Sequence, residues 1–295
     1  MHPRLATIAA AASSQPRRMT SRAYVLALGA IALWSTLASL GVALAGVPPF
    51  LLTGLALLIG ALPALPRWRE WRVPPATLAL GVYGLFGFHL LLFIALRDAP
   101  PVEANLVNYL WPLLIVLLAP VLLPGPSLRP VQLFAALLGF AGAALAIAGG
   151  RELSAAWSWG YLAAAGSALI WASFSLLTRR VAHFPTAAIG GFATVSGLLS
   201  LACHAVFEPA VALGAREWAL VAVMGLGPLG AAFYLWDAAL KQGDARTIGV
   251  LSYLTPLAST FLLVVTSGRE PAPTLWLAAL LVAGAALLAV RVRTA

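Results

Sequence analysis

Residues 101–123 read PVEANLVNYLWPLLIVLLAPVLL, with one charged side chain, Glu103, at the very start. As a helix, an apolar run of this length matches the roughly 30 Å hydrocarbon core of a bilayer. Nine comparable stretches surround it, at 22–44, 48–66, 75–97, 130–149, 158–181, 186–206, 217–240, 245–267 and 273–292. Short polar breaks separate them, and almost nothing remains for a soluble domain. The reading is therefore an all-α integral membrane protein with ten transmembrane helices. Composition agrees, since 62% of residues are hydrophobic and 9% charged, against roughly 25% charged in soluble domains.

The net charge of +9 would suit a polyanionic partner if the basic residues formed one patch. They are instead sorted by loop. With the N-terminus inside, Arg17, Arg18, Arg22, Arg67, Arg69, Arg72, Arg129, Arg179, Arg180, Lys241, Arg246, Arg291 and Arg293 fall in the cytoplasm, and Arg97, Arg151, Arg216 and Arg269 outside. The positive-inside rule then puts both termini in the cytoplasm, and no nucleic-acid partner is expected. Residues 1–21 read as a cytoplasmic tail, because the apolar piece Ile8 to Ala12 is too short for a signal-peptide core. Cys203 sits within the seventh stretch and reads as a packing residue. No metal-ligand spacing, Gly-rich phosphate loop or Ser/His/Asp set is present, so no cofactor is expected and enzyme readings start weak.

Shifted by 144 positions, the chain overlays itself. Ala95-Leu96-Arg97 falls on Ala239-Leu240-Lys241, and Tyr109, Leu110, Pro112 and Leu113 fall on Tyr253, Leu254, Pro256 and Leu257. A shift of 137 places Tyr24, Gly29 and Trp34 on Tyr161, Gly166 and Trp171. The chain divides into two five-helix repeats, 22–150 and 158–292. Because five is odd, the second repeat enters the membrane from the opposite side, so the repeats are inverted. That plan is common in secondary transporters, whose substrate site lies at the repeat interface near the midplane. Gly139, Gly142, Gly225 and Gly227 are read as close-packing positions between helices.

Asn108-Tyr109-Leu110-Trp111-Pro112-Leu113 and Ser252-Tyr253-Leu254-Thr255-Pro256-Leu257, with the Ala-Leu-Arg and Ala-Leu-Lys turns before them, carry a resemblance to the drug/metabolite transporter superfamily in its ten-helix form of two EamA-type repeats. It covers about residues 22–292. Within that superfamily the Asn-Tyr-Leu-Trp-Pro sequence is most similar to bacterial aromatic amino-acid exporters. The resemblance implies a multi-pass protein of the bacterial inner membrane that exports a small molecule by alternating access.

Trp34 and Trp171 lie mid-span, where an indole N–H finds no acceptor in lipid. They line a central cavity or pack the core. Pro112 and Pro256 each free a carbonyl one turn earlier, next to Asn108 and Tyr109 in one repeat and Ser252 and Tyr253 in the other. Both pairs are expected to face inward, either as a polar wall for a ligand, with Trp111 adding a ring, or as repair of the backbone defect. His89, with Phe233 as its repeat image, is an intramembrane ionisable group and hence a functional candidate, as cavity lining or as a proton carrier. Tyr83, Tyr234 and Trp236 lie on the same two helices. Asp237, four residues before Lys241, and Glu103, at a helix start, read as structural. Trp68, Trp71, Trp157, Trp159, Trp218 and Trp276 fall at span ends, where an aromatic belt is expected.

Trp, Tyr, His and Asn around a cavity suit a ligand with a ring and a zwitterionic end. The expected function is export of aromatic amino acids and related metabolites, without an ATPase subunit. A broad drug/metabolite exporter of the same superfamily is the alternative, but a carrier of cations would want a midplane carboxylate. A membrane-embedded lipid enzyme would want paired acids or a His/Asp set, and the sequence offers neither.

Overall fold

The computed structural model describes residues 20–124, 127–149, 157–266, 270 and 272–291. Within them lie ten helices long and apolar enough to cross a membrane: α1 Ser21–Ala43, α2 Pro49–Trp71, α3 Pro75–Asp98, α4 Pro101–Leu122, α5 Pro130–Ala148, α6 Gly160–Leu177, α7 Thr186–Phe207, α8 Ala215–Gln242, α9 Ala245–Thr266 and α10 Pro273–Arg291. Each coincides with one of the ten apolar stretches, and no strand occurs among the described residues. The tail, Arg17, Arg18, Arg151, Arg269 and Arg293 lie outside them.

Local chemistry sets the helix ends. Helices α2, α3, α4, α5 and α10 each open on a proline, a residue suited to the first turn, where its missing N–H is not needed. Thr20 Oγ1 accepts from the Ala23 N–H at 3.2 Å, and Asp244 Oδ2 accepts from the Thr247 N–H at 3.2 Å. Glu208, at the end of α7, accepts from the N–H groups of Phe50 and Leu51 at 2.8 and 3.1 Å, so its charge meets the positive end of α2. Helix α2 outruns its expected end at 66. Pro63 and Pro66 disturb the α-helical ladder there, and Leu62–Trp71 tightens into a 3₁₀ turn that holds Trp68 beneath the guanidinium groups of Arg69 and Arg72.

Four helices are broken near their middles, in matched places. Helix α3 widens into a π-turn at Tyr83–Gly87 and α8 at Gly227–Ala231, positions 144 apart. Helix α4 breaks between Asn108 and Trp111, and α9 between Leu251 and Leu254. Pro112 and Pro256 lack the N–H that would bond the carbonyls of Asn108 and Ser252. The breaks follow from those prolines.

Helix packing has the same two-fold pattern. Helix α1 packs on α8 as α6 packs on α3, α2 packs on α7, and α5 on α10. Gly139, Gly142 and Gly225 are close-contact sites as expected: a Cβ on Gly139 would run into the ring of Tyr253, and one on Gly225 would stand 2.7 Å from the Ala56 carbonyl. Gly227 differs, with only Leu33 nearby at 3.8 Å. Its place is the start of the π-turn.

Burial breaks this symmetry. In residues 88–108 only Ala95, Ala99, Ala104 and Asn108 are buried, whereas in their images most of 232–243 and all of Ala245 to Ser252 are buried. The molecule is loosely packed at the end carrying Arg97 and closed at the end carrying Lys241.

Candidate aromatic site at the centre of the bundle

Four tryptophans from four helices meet where the breaks cluster. Trp34 of α1 lies 5.6 Å from Trp171 of α6, 5.1 Å from Trp236 of α8 and 6.4 Å from Trp111 of α4, centroid to centroid. Phe233 and Phe88 extend the group, at 5.7 and 5.4 Å from Trp171. Most pairs meet edge to face, the arrangement the ring quadrupole favours, while Trp171 and Trp236 stack at 30°.

The indole N–H groups divide these rings into two kinds. Trp34 Nε1 donates to the Pro228 carbonyl at 3.1 Å, an acceptor exposed by the π-turn of α8. Trp236 Nε1 donates to Ser175 Oγ at 3.1 Å. Trp111 and Trp171 make no hydrogen bond among the described residues. The first two rings are fastened, and the other two keep a free donor at the centre.

His89 joins the group through Phe88 at 5.1 Å and Phe233 at 6.4 Å. Its Nδ1 stands 2.6 Å from the Leu85 carbonyl. A carbonyl only accepts, so Nδ1 carries the proton, and in the neutral ring Nε2 is left as an acceptor. Asn108 is buried at the break in α4, where its Oδ1 accepts from Ser167 Oγ of α6 at 2.6 Å. That bond leaves the Asn108 amide N–H groups as donors. Tyr109, next to it, is half-buried.

Other expected site residues are placed elsewhere. The expectation that Tyr253 faces inward is not met, because its ring is fully buried against Gly139, Phe140 and Val282 of α5 and α10. Ser252 turns back on its own helix and donates to the Gly249 carbonyl. Tyr234 donates to the Gly60 carbonyl at 3.1 Å, tying α8 to α2. Tyr83, 39% exposed, bonds Ser173 at 2.9 Å. Sequence reasoning passed over Ser167, Phe88 and Phe174. The visible signal for Ser167 is its place one helical turn before Trp171.

Directly beneath the rings, Trp171, Phe233, Trp236, Leu85, Phe174, Ile189, Thr178, Asp237 and Leu240 line a pocket whose free volume is about 10 Å³. That is the room of roughly one water molecule.

The profile of the EamA-like transporter family matches residues 21–148 and again 158–291. The aromatic amino acid exporter YddG of Ancylobacter novellus is 43% identical over 279 residues, spanning 91% of this chain and 97% of that protein. The aromatic amino acid exporter YddG of Escherichia coli K12 is 27% identical, over 90% and 96% respectively. A solved crystal structure superposes with a TM-score of 0.86 at 42% identity, covering 92% of this chain and 99% of that one.

Proposed function

The chain belongs to the EamA-like transporter family, and on that footing we propose that it exports aromatic amino acids by alternating access, with the tryptophan cluster as its substrate site. It is a multi-pass protein of the bacterial inner membrane. The observation that carries the substrate reading is the pair of free indole donors, Trp111 and Trp171, held edge to face at the helix breaks, with His89 joined to Trp171 through Phe88. Three kinds of contact are then available to one ligand. Its ring stacks against Trp111 and Trp171, its carboxylate accepts from the Asn108 amide, and its ammonium donates to His89 Nε2. The names of the relatives point to the same substrate class.

Transport uses the repeats. We read them as inverted, with both termini cytoplasmic, so that the open end near Arg97 is external and the closed end near Lys241 internal. Exchanging the conformations of 88–108 and 232–252 closes the first and opens the second, and the site changes sides.

Counterflow in proteoliposomes loaded with unlabelled phenylalanine tests the reading. Labelled phenylalanine, tyrosine or tryptophan should accumulate several-fold faster than labelled threonine or lysine. Equal rates for all five would replace the aromatic exporter with a general metabolite carrier.

A further inference from the structure

The closed end holds an ion pair that shares a space with the rings. Asp237, 5% exposed, lines the pocket beneath Trp171, Phe233 and Trp236. Lys241 Nζ reaches Asp237 Oδ2 at 2.7 Å, the Phe184 carbonyl at 2.8 Å and Thr186 Oγ1 at 3.4 Å, and sits 3.9 Å from the Phe184 ring centroid. Thr186 in turn donates to the same Oδ2 at 2.7 Å. Helix α8 is thereby fastened to the segment entering α7. Asp237 Oδ1 is left without a hydrogen bond among the described residues.

The repeat image of this device is incomplete. Phe93 stands where Asp237 does, and Arg97 where Lys241 does. Arg97 is 74% exposed and, among the described residues, its side chain bonds only its neighbour Asp98. A tie needed merely to hold helix to helix would be expected at both ends of a two-fold bundle. Here it occurs at one, with a carboxylate and an ammonium side by side at the edge of the aromatic site.

We infer that Asp237 and Lys241 form an entry site for a zwitterionic α-amino acid, whose ammonium takes the place of Lys241 at Asp237 and whose carboxylate takes the place of Asp237 at Lys241. The inference rests on the proposed function, which makes this end cytoplasmic and the ligand an amino acid. Opening the end separates the two side chains, and a zwitterion then supplies each with an opposite charge while its ring lies toward Trp236. A buried charge stripped of its partner is costly, so closure requires the two side chains to rejoin. Their rejoining displaces the substrate's charged end toward the rings, and entry becomes delivery.

Inside-out membrane vesicles present this end to the medium. Phenylalaninamide keeps the ammonium and lacks the carboxylate; 3-phenylpropionate is the reverse. Both are used to inhibit uptake of labelled phenylalanine, at matched protein levels. Asp237→Asn should weaken phenylalaninamide relative to 3-phenylpropionate by about tenfold, the scale of one lost charge-assisted hydrogen bond, and Lys241→Gln should move the same ratio the other way. A ratio that stays at the wild-type value in both variants, or moves the same way in both, overturns the inference. In a second test the pair stays intact, with a thiol placed at pocket-lining Thr178 (Thr178→Cys, Cys203→Ser). Phenylalanine should accelerate cytoplasmic labelling of that thiol several-fold, while neither analogue does so; acceleration by phenylalaninamide alone overturns the inference too. Wild-type vesicles that take up no aromatic amino acid would instead sink the proposed function itself.

Discussion

Replacing Trp111 and replacing Trp34 should have opposite consequences, although the two rings lie 6.4 Å apart. Trp111 leaves its indole N–H free for a ligand, so Trp111→Ala removes one ring contact from the substrate. Such a contact is worth about 0.5–1.5 kcal/mol, roughly a two- to twelve-fold loss in affinity for aromatic substrates at 1.4 kcal/mol per factor of ten. Trp34 instead holds the π-turn of α8 through the Pro228 carbonyl. Both variants remove a buried ring, at about 3–5 kcal/mol, but Trp34→Ala also strands that carbonyl, at about 1–3 kcal/mol more. Its effect is on folding, and all substrates suffer together. The assay is the ratio of phenylalanine to threonine transport at equal membrane content, with thermal stability in detergent alongside. Trp111→Ala should lower the ratio several-fold; Trp34→Ala should leave the ratio alone and lower the Tm. An unchanged ratio in Trp111→Ala, or a Trp34→Ala protein as stable as wild type with an altered ratio, would refute the division of the rings into fastened and free.

Gly139→Ala drives a Cβ into the buried Tyr253 ring and should cost about 1–3 kcal/mol, the usual penalty of overpacking, read as a lower Tm with substrate selectivity unchanged. His89→Gln, which keeps a hydrogen-bonding group at the site, should alter substrate preference while leaving the pH profile of transport as in wild type; loss of a pH dependence in the variant would make His89 a proton carrier. With Cys203→Ser as background, a thiol placed at Ala210 should react with an impermeant reagent added outside and one at Arg69 should not. The opposite pattern would reverse the topology.

Hydropathy alone made the ten helices legible, because lipid demands long apolar runs and leaves no other backbone solution than the helix. The helix breaks were half legible. Pro112 and Pro256 announce those in α4 and α9, but no residue forces a π-turn at Tyr83–Gly87, where the first repeat has Gly84 in the place of Pro228. Mid-span position marked Trp34 and Trp171 as candidates and the segment before Pro112 marked Trp111, and their meeting is what the structure adds. Tyr253 was expected to face inward because it precedes Pro256, and it does not. Beyond a helix break the direction of a side chain is set by what packs there, and Gly139 of α5 offers Tyr253 a place away from the centre. Ser167 was inconspicuous because a serine in a membrane helix can satisfy itself on a carbonyl of its own helix, and no local pattern shows that Ser167 turns to Asn108 instead. The spacing of Asp237 and Lys241 predicted their pairing, but Thr186 and Phe184 reach it from another segment, and no local pattern reports a contact of that kind.

If the repeats are inverted as proposed, the position of the rings lets one site serve two sides of a membrane. Trp34 and Trp171 are images of each other under the repeat, yet they touch, with centroids 5.6 Å apart. Two points related by a two-fold axis lie that close only if both are near the axis. When the repeats exchange conformations, structure far from the axis moves most and structure on it moves least. The ends at Arg97 and Lys241 are far from it, and they are where burial differs between the repeats. The tryptophans are on it, and one of each matched helix pair, α1 on α8 and α6 on α3, carries one of the two rings. In the proposed cycle a ligand ring set against Trp111 and Trp171 keeps its aromatic contacts while access to it changes, so ring binding contributes to both states alike. What differs between the states is at the ends, chiefly the Asp237–Lys241 tie. On the proposed mechanism, selectivity is therefore set by the rings, and the balance between inward and outward states by that pair.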